Sequence, residues 1–463
     1  MAAGSQDQRR APLDPAGELR GLAGDCVHCG FCLPACPTYQ LWGEEMDSPR
    51  GRIYLITRLL DGTEGTPAAA THLDRCLGCM ACVTACPSGV RYDRLIEAAR
   101  GWAGDGADGA APLPPRSRRD RALRAAIFRL FPYPGRLRAA VAPLRAAQRA
   151  GLDGLVERAG LADRLPEEVA AALRLAPPAP PGRGRRGRGA GPPGASPAPR
   201  ALPARVPARG QRRAVVGMLT GCVQRVFFPQ VNAATASVLA AEGCDVIVPD
   251  GQGCCGALSL HGGRRAEAAR FARRTIEVFE RAGVDAIVVN VAGCGSAMKE
   301  YRDLLGGDPA WSQRAAALAG KVRDFSEFLA ELGPAAPRHP LELTVAYHDA
   351  CHLAHAQRIT AAPRELLAAV PALRLEPVAD GGACCGSAGI YNLVQPGPAR
   401  ELGQRKAANV AATGADLLVT GNPGCAMQIA AALAARGTRM PTAHTAEVLD
   451  ASLRGLGASA LLG

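Results

Sequence analysis

The stretch GQGCCGALSLHGG at residues 251–263 has an echo 130 residues on, GGACCGSAGIYNL at 381–393. Two further cysteines flank each Cys-Cys-Gly in register: Cys222, Cys254, Cys255 and Cys294 recur as Cys351, Cys384, Cys385 and Cys425, at offsets of 129, 130, 130 and 131. Four matched offsets mark a duplicated unit. Each copy reads as β-α-β-α-β-α. In the first, strands are expected over 214–222, 244–250 and 285–294, with helical patterns at 232–243 and 264–283 that each close on a glycine. In the second, 343–351, 373–378 and 415–425 take the strand positions. Strands alternating with helices imply a parallel sheet with right-handed crossovers. Ligands of such sheets gather outside the carboxyl ends of the strands. The first and last cysteines of each copy sit at those ends, so all four thiols of a copy are expected to converge on one site. Glycines beside them, Gly221, Gly253, Gly256, Gly293 and Gly295 in the first copy, let the backbone come close.

Four thiols suit an iron-sulfur cluster, a zinc ion, a redox disulfide or buried structural cysteines, and the residues alone do not choose. Adjacent cysteines are awkward partners for a disulfide with each other but well placed to share one metal centre. The eight are therefore provisional ligands. His348, Cys351, His352 and His355 form a dense patch at a strand end. It reads either as zinc ligation or as histidines hydrogen-bonded within a polar pocket.

Upstream stand two runs, Cys26-x2-Cys29-x2-Cys32-x3-Cys36-Pro37 and Cys76-x2-Cys79-x2-Cys82-x3-Cys86-Pro87. A thiolate every third residue in a tight loop lets three sulfurs face one cubane, and the proline ends the loop without an unpaired N–H. This is the bacterial ferredoxin spacing, in which the fourth cysteine serves the other cluster. Cys26, Cys29, Cys32 and Cys86 are then expected to hold one 4Fe-4S cluster, and Cys36, Cys76, Cys79 and Cys82 the second. Zinc sites of four cysteines are the competing reading, which the duplicated spacing disfavours. Between the runs, Ser48-Pro49 forms a helix start, with Ser as N-cap and Pro at the first turn. Arg50 and Arg52 on that helix read as a solvated face, or at most as a favourable field near an anionic cluster.

The chain has 463 residues, 17 of them cysteine, and a formal charge of +12. That length implies several domains. The expected division is a tail at 1–19, a two-cluster ferredoxin domain at 20–105, and an Ala/Arg-rich, partly helical connector at 106–176. A flexible linker at 177–210 and the two α/β copies at 211–335 and 336–463 complete it. The linker assignment rests on 17 Pro or Gly among its 34 residues, with seven Arg and no acid. From Ala111 to Arg213 there are 22 arginines against six acids, a surplus of sixteen, so the rest of the chain sums to −4. The basic charge is thus a property of one connecting segment, which suggests at most a tether on an anionic partner or membrane surface. With 4% aromatic residues, nucleic-acid binding is disfavoured. No apolar run approaches the roughly 18–20 residues that span a bilayer. The polar first twenty residues lack the apolar core of a secretory signal. The expectation is a cytoplasmic protein with reduced thiols, with peripheral association at the inner face of the membrane left open.

Two ferredoxin runs joined to two Cys-Cys-Gly units resemble glycolate oxidase (glycolate dehydrogenase) iron-sulfur subunits. The wider group includes anaerobic glycerol-3-phosphate dehydrogenase, lactate-utilisation and heterodisulfide reductase subunits. The resemblance is carried by SPRGRIYLI (48–56), GCCGALSLHGG (253–263), YHDACHLAHAQRI (347–359), CCGSAGIYNLVQP (384–396) and TGNPGCAMQI (420–429). It implies an α+β multidomain chain, a helical ferredoxin module followed by two α/β units. It also implies glycolate oxidation on an FAD-containing partner subunit and electron flow through this chain to a quinone or other acceptor. No residue here is then catalytic. One departure stands out. The heterodisulfide reductase pattern ends each copy in Cys-x-x-Cys, whereas Cys294 is followed by Gly-Ser-Ala and Cys425 by Ala-Met-Gln, which puts a full ligand set for a further cluster in doubt.

Overall fold

The computed structural model describes residues 15–102, 113–152, 164–178 and 202–462. Nine strands form two sheets: β1 (Arg205–Val206), β2 (Ala214–Leu219), β3 (Cys244–Ile247), β4 (Ala286–Val289) and β5 (Val322–Asp324), then β6 (Leu343–His348), β7 (Leu373–Glu376), β8 (Leu417–Thr420) and β9 (Thr442–Ala443). Their orders are β1-β3-β2-β4-β5 and β7-β6-β8-β9. All pairs are parallel except β1 with β3, so each copy repeats one parallel four-strand pattern. The three strands expected per copy are present but shorter than read, because the chain leaves the sheet before the cysteines. After β2, for example, Gly221 takes the left-handed conformation at φ 67° and turns Cys222 back over the sheet end. A fourth strand in each copy, two or three residues long, had no pattern to announce it.

The expectation of a flexible linker over 177–210 is corrected at its end. Arg205 and Val206 pair with Ile247 and Val246 as an edge strand. Arg205 and the Ala208 amide both bond the Asp245 carboxylate, at 2.6 and 2.9 Å. Residues 179–201 lie outside the described part.

The two copies share one core. Val216, Met218 and Val246 of one sheet and Val345, Tyr347 and Val419 of the other enclose a common helical layer. Helix Pro229–Ala241 packs on Thr445–Leu453, and helix Phe325–Leu332 on Ala361–Ala368. An early helix of each copy thus meets a late helix of the other, a pseudo-twofold pairing of the kind an isologous dimer uses. Ferredoxin-part helices Pro49–Leu60 and Tyr92–Trp102 build a separate core on Ile53, Ile56, Leu95 and Ile96. Ser48 caps the first of them by accepting from Gly51 N at 3.0 Å. Position 51 requires glycine, since a Cβ there would lie 2.0 Å from the Glu45 carbonyl.

Connector helices Arg118–Leu130, Pro134–Arg149 and Glu167–Leu175 agree with the helical reading of 106–176, with Pro134 at the first turn of the second. Ile127 and Phe128 pack on Ile390 and Leu393 of the second copy. Arg116 bonds Asp74 of the ferredoxin part at 2.7 Å. The connector therefore clamps the ferredoxin part onto the duplicated unit.

Candidate metal centres

The ferredoxin cysteines line two cavities. One open cavity of about 430 Å³ is lined by Cys26, Cys29, Cys32, Cys82 and Cys86. A second of about 310 Å³ is lined by Cys36, Cys76, Cys79 and Cys82. The final cysteine of each run has crossed to the other run's cavity. The outer cavity lies near the surface: Cys29 is exposed, and Val27 and Phe31 on the same loop are 69% and 68% exposed. All four cysteines of the inner cavity are buried.

The inner cavity is wrapped in cations and donors. Arg52, expected on a solvated face, is instead 1% exposed. It donates to the His72 carbonyl at 2.7 Å, to Thr38 Oγ1 at 3.0 Å and to Asp47 Oδ1 at 3.2 Å. Asp47 also takes bonds from His72 and Arg75, at 3.0 and 2.8 Å. Cys76 receives the Gly78 amide at 3.3 Å and the Tyr92 hydroxyl at 3.5 Å. Burial pushes the Cys76 thiol up, but Arg52, Arg100 and these donors outweigh it and hold it below its ordinary value. Burial holds Cys79 and Cys82 well above theirs, so both favour the neutral thiol until a cationic ligand compensates them.

The Cys-Cys-Gly thiols converge as the strand-end rule requires. In the first copy Cys222 approaches Cys254 at 3.7 Å, and Cys255 accepts from both Cys254 and Cys294. In the second, Cys351, Cys384, Cys385 and Cys425 form one chain of thiol contacts. Gly256 and Gly386 both stand at φ 88°, with neighbouring backbone so close that a Cβ would meet Ala268 O at 3.1 Å and Ala399 O at 2.5 Å.

The histidine patch divides. His355 is spent on hydrogen bonds, to Thr84 Oγ1 at 3.1 Å and the Gly382 carbonyl at 2.8 Å. His352 Nδ1 lies 3.7 Å from Cys351 Sγ, and its ring rests 4.7 Å from that of His261. His348, at the end of β6, has ligand atoms of Cys385 and Cys425 within 4.8 Å. Burial, then the Lys406 charge, hold it neutral, its pKa lowered to about 3.

The ferredoxin part meets both copies. Cys79 packs with Cys351 and Cys384 in one apolar cluster with Leu77, Ala81 and Tyr391. Arg100 donates to the His261 carbonyl at 2.7 Å, and His261 Nδ1 pairs with Glu97 at 2.9 Å. Sequence reading missed Arg52, Arg100, Lys406 and the Glu97–His261 pair. Arg52 and His261 sat in motifs that had been singled out; Arg100, Lys406 and Glu97 did not.

Family models match throughout. A 4Fe-4S dicluster domain matches residues 23–90, the glycolate oxidase iron-sulfur subunit linker region matches 119–176, and a cysteine-rich domain matches 216–299 and 345–430. A probable glycolate oxidase iron-sulfur subunit of Bacillus subtilis is 36% identical over 92% of this chain and 93% of its own length. The glycolate oxidase iron-sulfur subunit of Escherichia coli is 36% identical over 94% and 95%. Lactate utilization protein A of Shouchella clausii is 32% identical across 98% of its length but only 51% of this chain. With full-length identity to both of the first two and the linker region matched between the cysteine-bearing parts, the chain belongs to the glycolate oxidase iron-sulfur subunit family.

Proposed function

We propose that this chain is the electron-transfer subunit of a complex that oxidises glycolate to glyoxylate on an FAD-containing partner subunit and passes the electrons to a quinone or another acceptor. Cys26, Cys29, Cys32 and Cys86 would hold the outer 4Fe-4S cluster, and Cys36, Cys76, Cys79 and Cys82 the inner one. The donor set fits such clusters: two groups of four thiols, an amide aimed at sulfur, and a buried arginine facing the inner group. When bound, the clusters supply one-electron redox chemistry, which converts a two-electron substrate oxidation into single transfers.

The chain's own residues set the order of sites. Cys29, Val27 and Phe31 open the outer cavity to a docking partner. Leu77, Ala81 and Tyr391 exclude water around the inner one. The observation that carries the reading is the single buried cluster that holds Cys79 together with Cys351 and Cys384, beside both the inner cavity and the second Cys-Cys-Gly pocket. No side chain here is assigned to substrate chemistry. The domain division at 1–19, 20–105, 106–176, 177–210, 211–335 and 336–463 follows the same functional units, with the last residues of the linker ordered on β3. Among the described residues no helix is long and apolar enough to cross a membrane. The Arg-rich segment is proposed as the contact to an anionic partner or membrane surface.

Anaerobic purification of the chain with its flavoprotein partners, followed by addition of glycolate, tests the reading through loss of the visible iron-sulfur absorbance. Bleaching by glycolate supports it. Bleaching by lactate or glycerol 3-phosphate but not glycolate overturns the substrate, and a colourless, zinc-loaded protein overturns the whole. The lactate alternative has its own support in the lactate utilization relatives, which cover about half of the chain.

A further inference from the structure

We propose that the second copy carries a metal site of mixed character, formed by the His348 imidazole with the Cys385 and Cys425 thiols, and that the first copy has no counterpart. The three ligand atoms come from different elements: the end of β6, the loop after β7, and the first turn of helix Pro423–Ala435. They lie within 4.8 Å of one another, all three residues buried, and among the described residues no other trio of His, Cys, Asp or Glu ligand atoms is drawn together in this way.

His348 is the decisive residue. It is 1% exposed, and both ring nitrogens lack a hydrogen-bond partner. A buried polar group left without a partner is destabilising unless a ligand takes that partner's place. The other copy has no such group here, because Leu219 occupies the equivalent place at the end of β2, 129 residues earlier. The imidazole is therefore not demanded by the strand. What it faces is two thiols, and a nitrogen lone pair beside thiolates is a donor set for a thiophilic, borderline ion. Bonds of roughly 2.0–2.3 Å to one ion place tetrahedral ligand atoms about 3.5 Å apart, so a closure of about an ångström completes the site.

A cation also stands beside the thiols. Lys406, 2% exposed, is held by the Asp380 and Gly381 carbonyls with its charge beside Cys384 and Cys385. In the first copy the cation beside the thiols is Arg225, facing Cys222 and Cys254. A buried cation next to the Cys-Cys pair compensates the negative charge that thiolate ligation brings. Cys351 and Cys384 border the same thiol chain and are available to complete the coordination.

The test does not depend on the substrate of the complex. The full chain, and variants His348→Leu and His348→Cys, are purified anaerobically and analysed for iron and zinc, with the ferredoxin-type EPR signals as an internal control. Leucine reproduces the first copy, and cysteine keeps a donor in place. If the ion is zinc, the wild type carries about one per chain, His348→Leu loses it, and iron is unchanged. If it is iron, the wild type exceeds the roughly eight irons of two 4Fe-4S clusters, and His348→Leu returns to that level. A histidine-nitrogen coupling in pulsed EPR also disappears. In either case His348→Cys retains the metal. A wild type with no metal beyond those eight irons, or equal zinc and iron in wild type and a folded His348→Leu, overturns the proposal. Should His348→Leu fail to fold, loss of metal from a folded His348→Cys with the ferredoxin signals intact, or absence of histidine nitrogen from the metal's X-ray absorption spectrum in the wild type, overturns it.

Discussion

Replacing Arg52 by methionine keeps most of the side-chain volume but strips three hydrogen bonds from a site that is closed to water. The His72 carbonyl and Thr38 Oγ1 lose a donor, and Asp47, fully buried, loses one of its three side-chain partners. Breaking a buried ion pair from one side costs about 3–5 kcal/mol because the remaining charge stays buried. Asp47 keeps His72 and Arg75, so the lower end, about 3 kcal/mol, is expected. That loss belongs to the helix Pro49–Leu60 and its surroundings, not to the duplicated unit. Amide hydrogen exchange of the anaerobic protein resolves the two: exchange within residues 49–60 should accelerate about 150-fold, the equivalent of about 3 kcal/mol. Exchange in helix Arg265–Ala282 should not change. Pairing the substitution with Asp47→Asn removes the stranded charge and should recover most of the loss. Acceleration below about fivefold, roughly 1 kcal/mol, would mean that Arg52 is solvated as the sequence had suggested, and would refute the account of the inner cavity.

Crossed ligation predicts that Cys86→Ala shares its EPR phenotype with Cys29→Ala and Cys36→Ala with Cys79→Ala; phenotypes that instead follow the runs, Cys86 with Cys79, would show uncrossed ligation. Gly51→Ala should abolish stable iron incorporation, since the Glu45 carbonyl sits where the methyl must go; an iron content like wild type would contradict the close approach. Phe31→Asp should weaken flavoprotein binding at least tenfold, read by co-purification or titration, while leaving iron content unchanged. Asp324 is buried, and burial raises its pKa to about 6 against the restraint of its Ser326 amide bond and Lys299. Its raised value makes the acid form the stable one in the folded chain, so its contribution is full below about pH 3.8 and lost as pH rises through about 6. Asp324→Asn keeps the cap acceptor and should stabilise the duplicated unit at pH 8 by up to about 3 kcal/mol, with the gain gone at pH 4; a gain independent of pH would assign the effect to packing.

The duplicated unit was legible because its chemistry repeats at a fixed interval, and because a parallel strand buried on both faces is a continuous apolar run, as in AVVGML and LTVAYH. Convergence of the thiols followed from topology alone. The fourth strands were not legible, since two or three residues carry no period. Nor was the exchange of helices across the common core, which depends on which of two similar apolar faces meets which. Arg52 was misread for a different reason. Its carboxylate partner is only five residues away, but the His72 carbonyl and the loop carrying Thr38, which bury it, come from separate parts of the chain. His348 had a usable signal: comparing the copies at offset 129 sets a histidine against Leu219, and a polar residue ending an otherwise apolar strand asks what it faces.

That comparison bears on how the duplication serves electron transfer. Both pockets hold four thiols at equivalent strand ends, so the fold itself does not distinguish them. Their surroundings do. The second pocket shares one buried cluster with Cys79 of the inner cavity and adds a neutral imidazole and the Lys406 charge. The first lies behind His261, which is engaged with Glu97 and Arg100 of the ferredoxin part, and its β2 ends in Leu219. A buried cation favours the more negative of two redox states, so Lys406 stabilises added charge in the pocket that the inner cavity already adjoins. The first pocket has a cation of its own, Arg225 beside Cys222 and Cys254, so it is the position of Cys79 and the imidazole that set the second copy apart. Exchanging the two signatures, Leu219→His in the first copy and His348→Leu in the second, should move the extra metal to the first pocket, where Leu219 lies in one cluster with Cys255 and Cys294 and Arg225 supplies the charge that Lys406 supplies in the second.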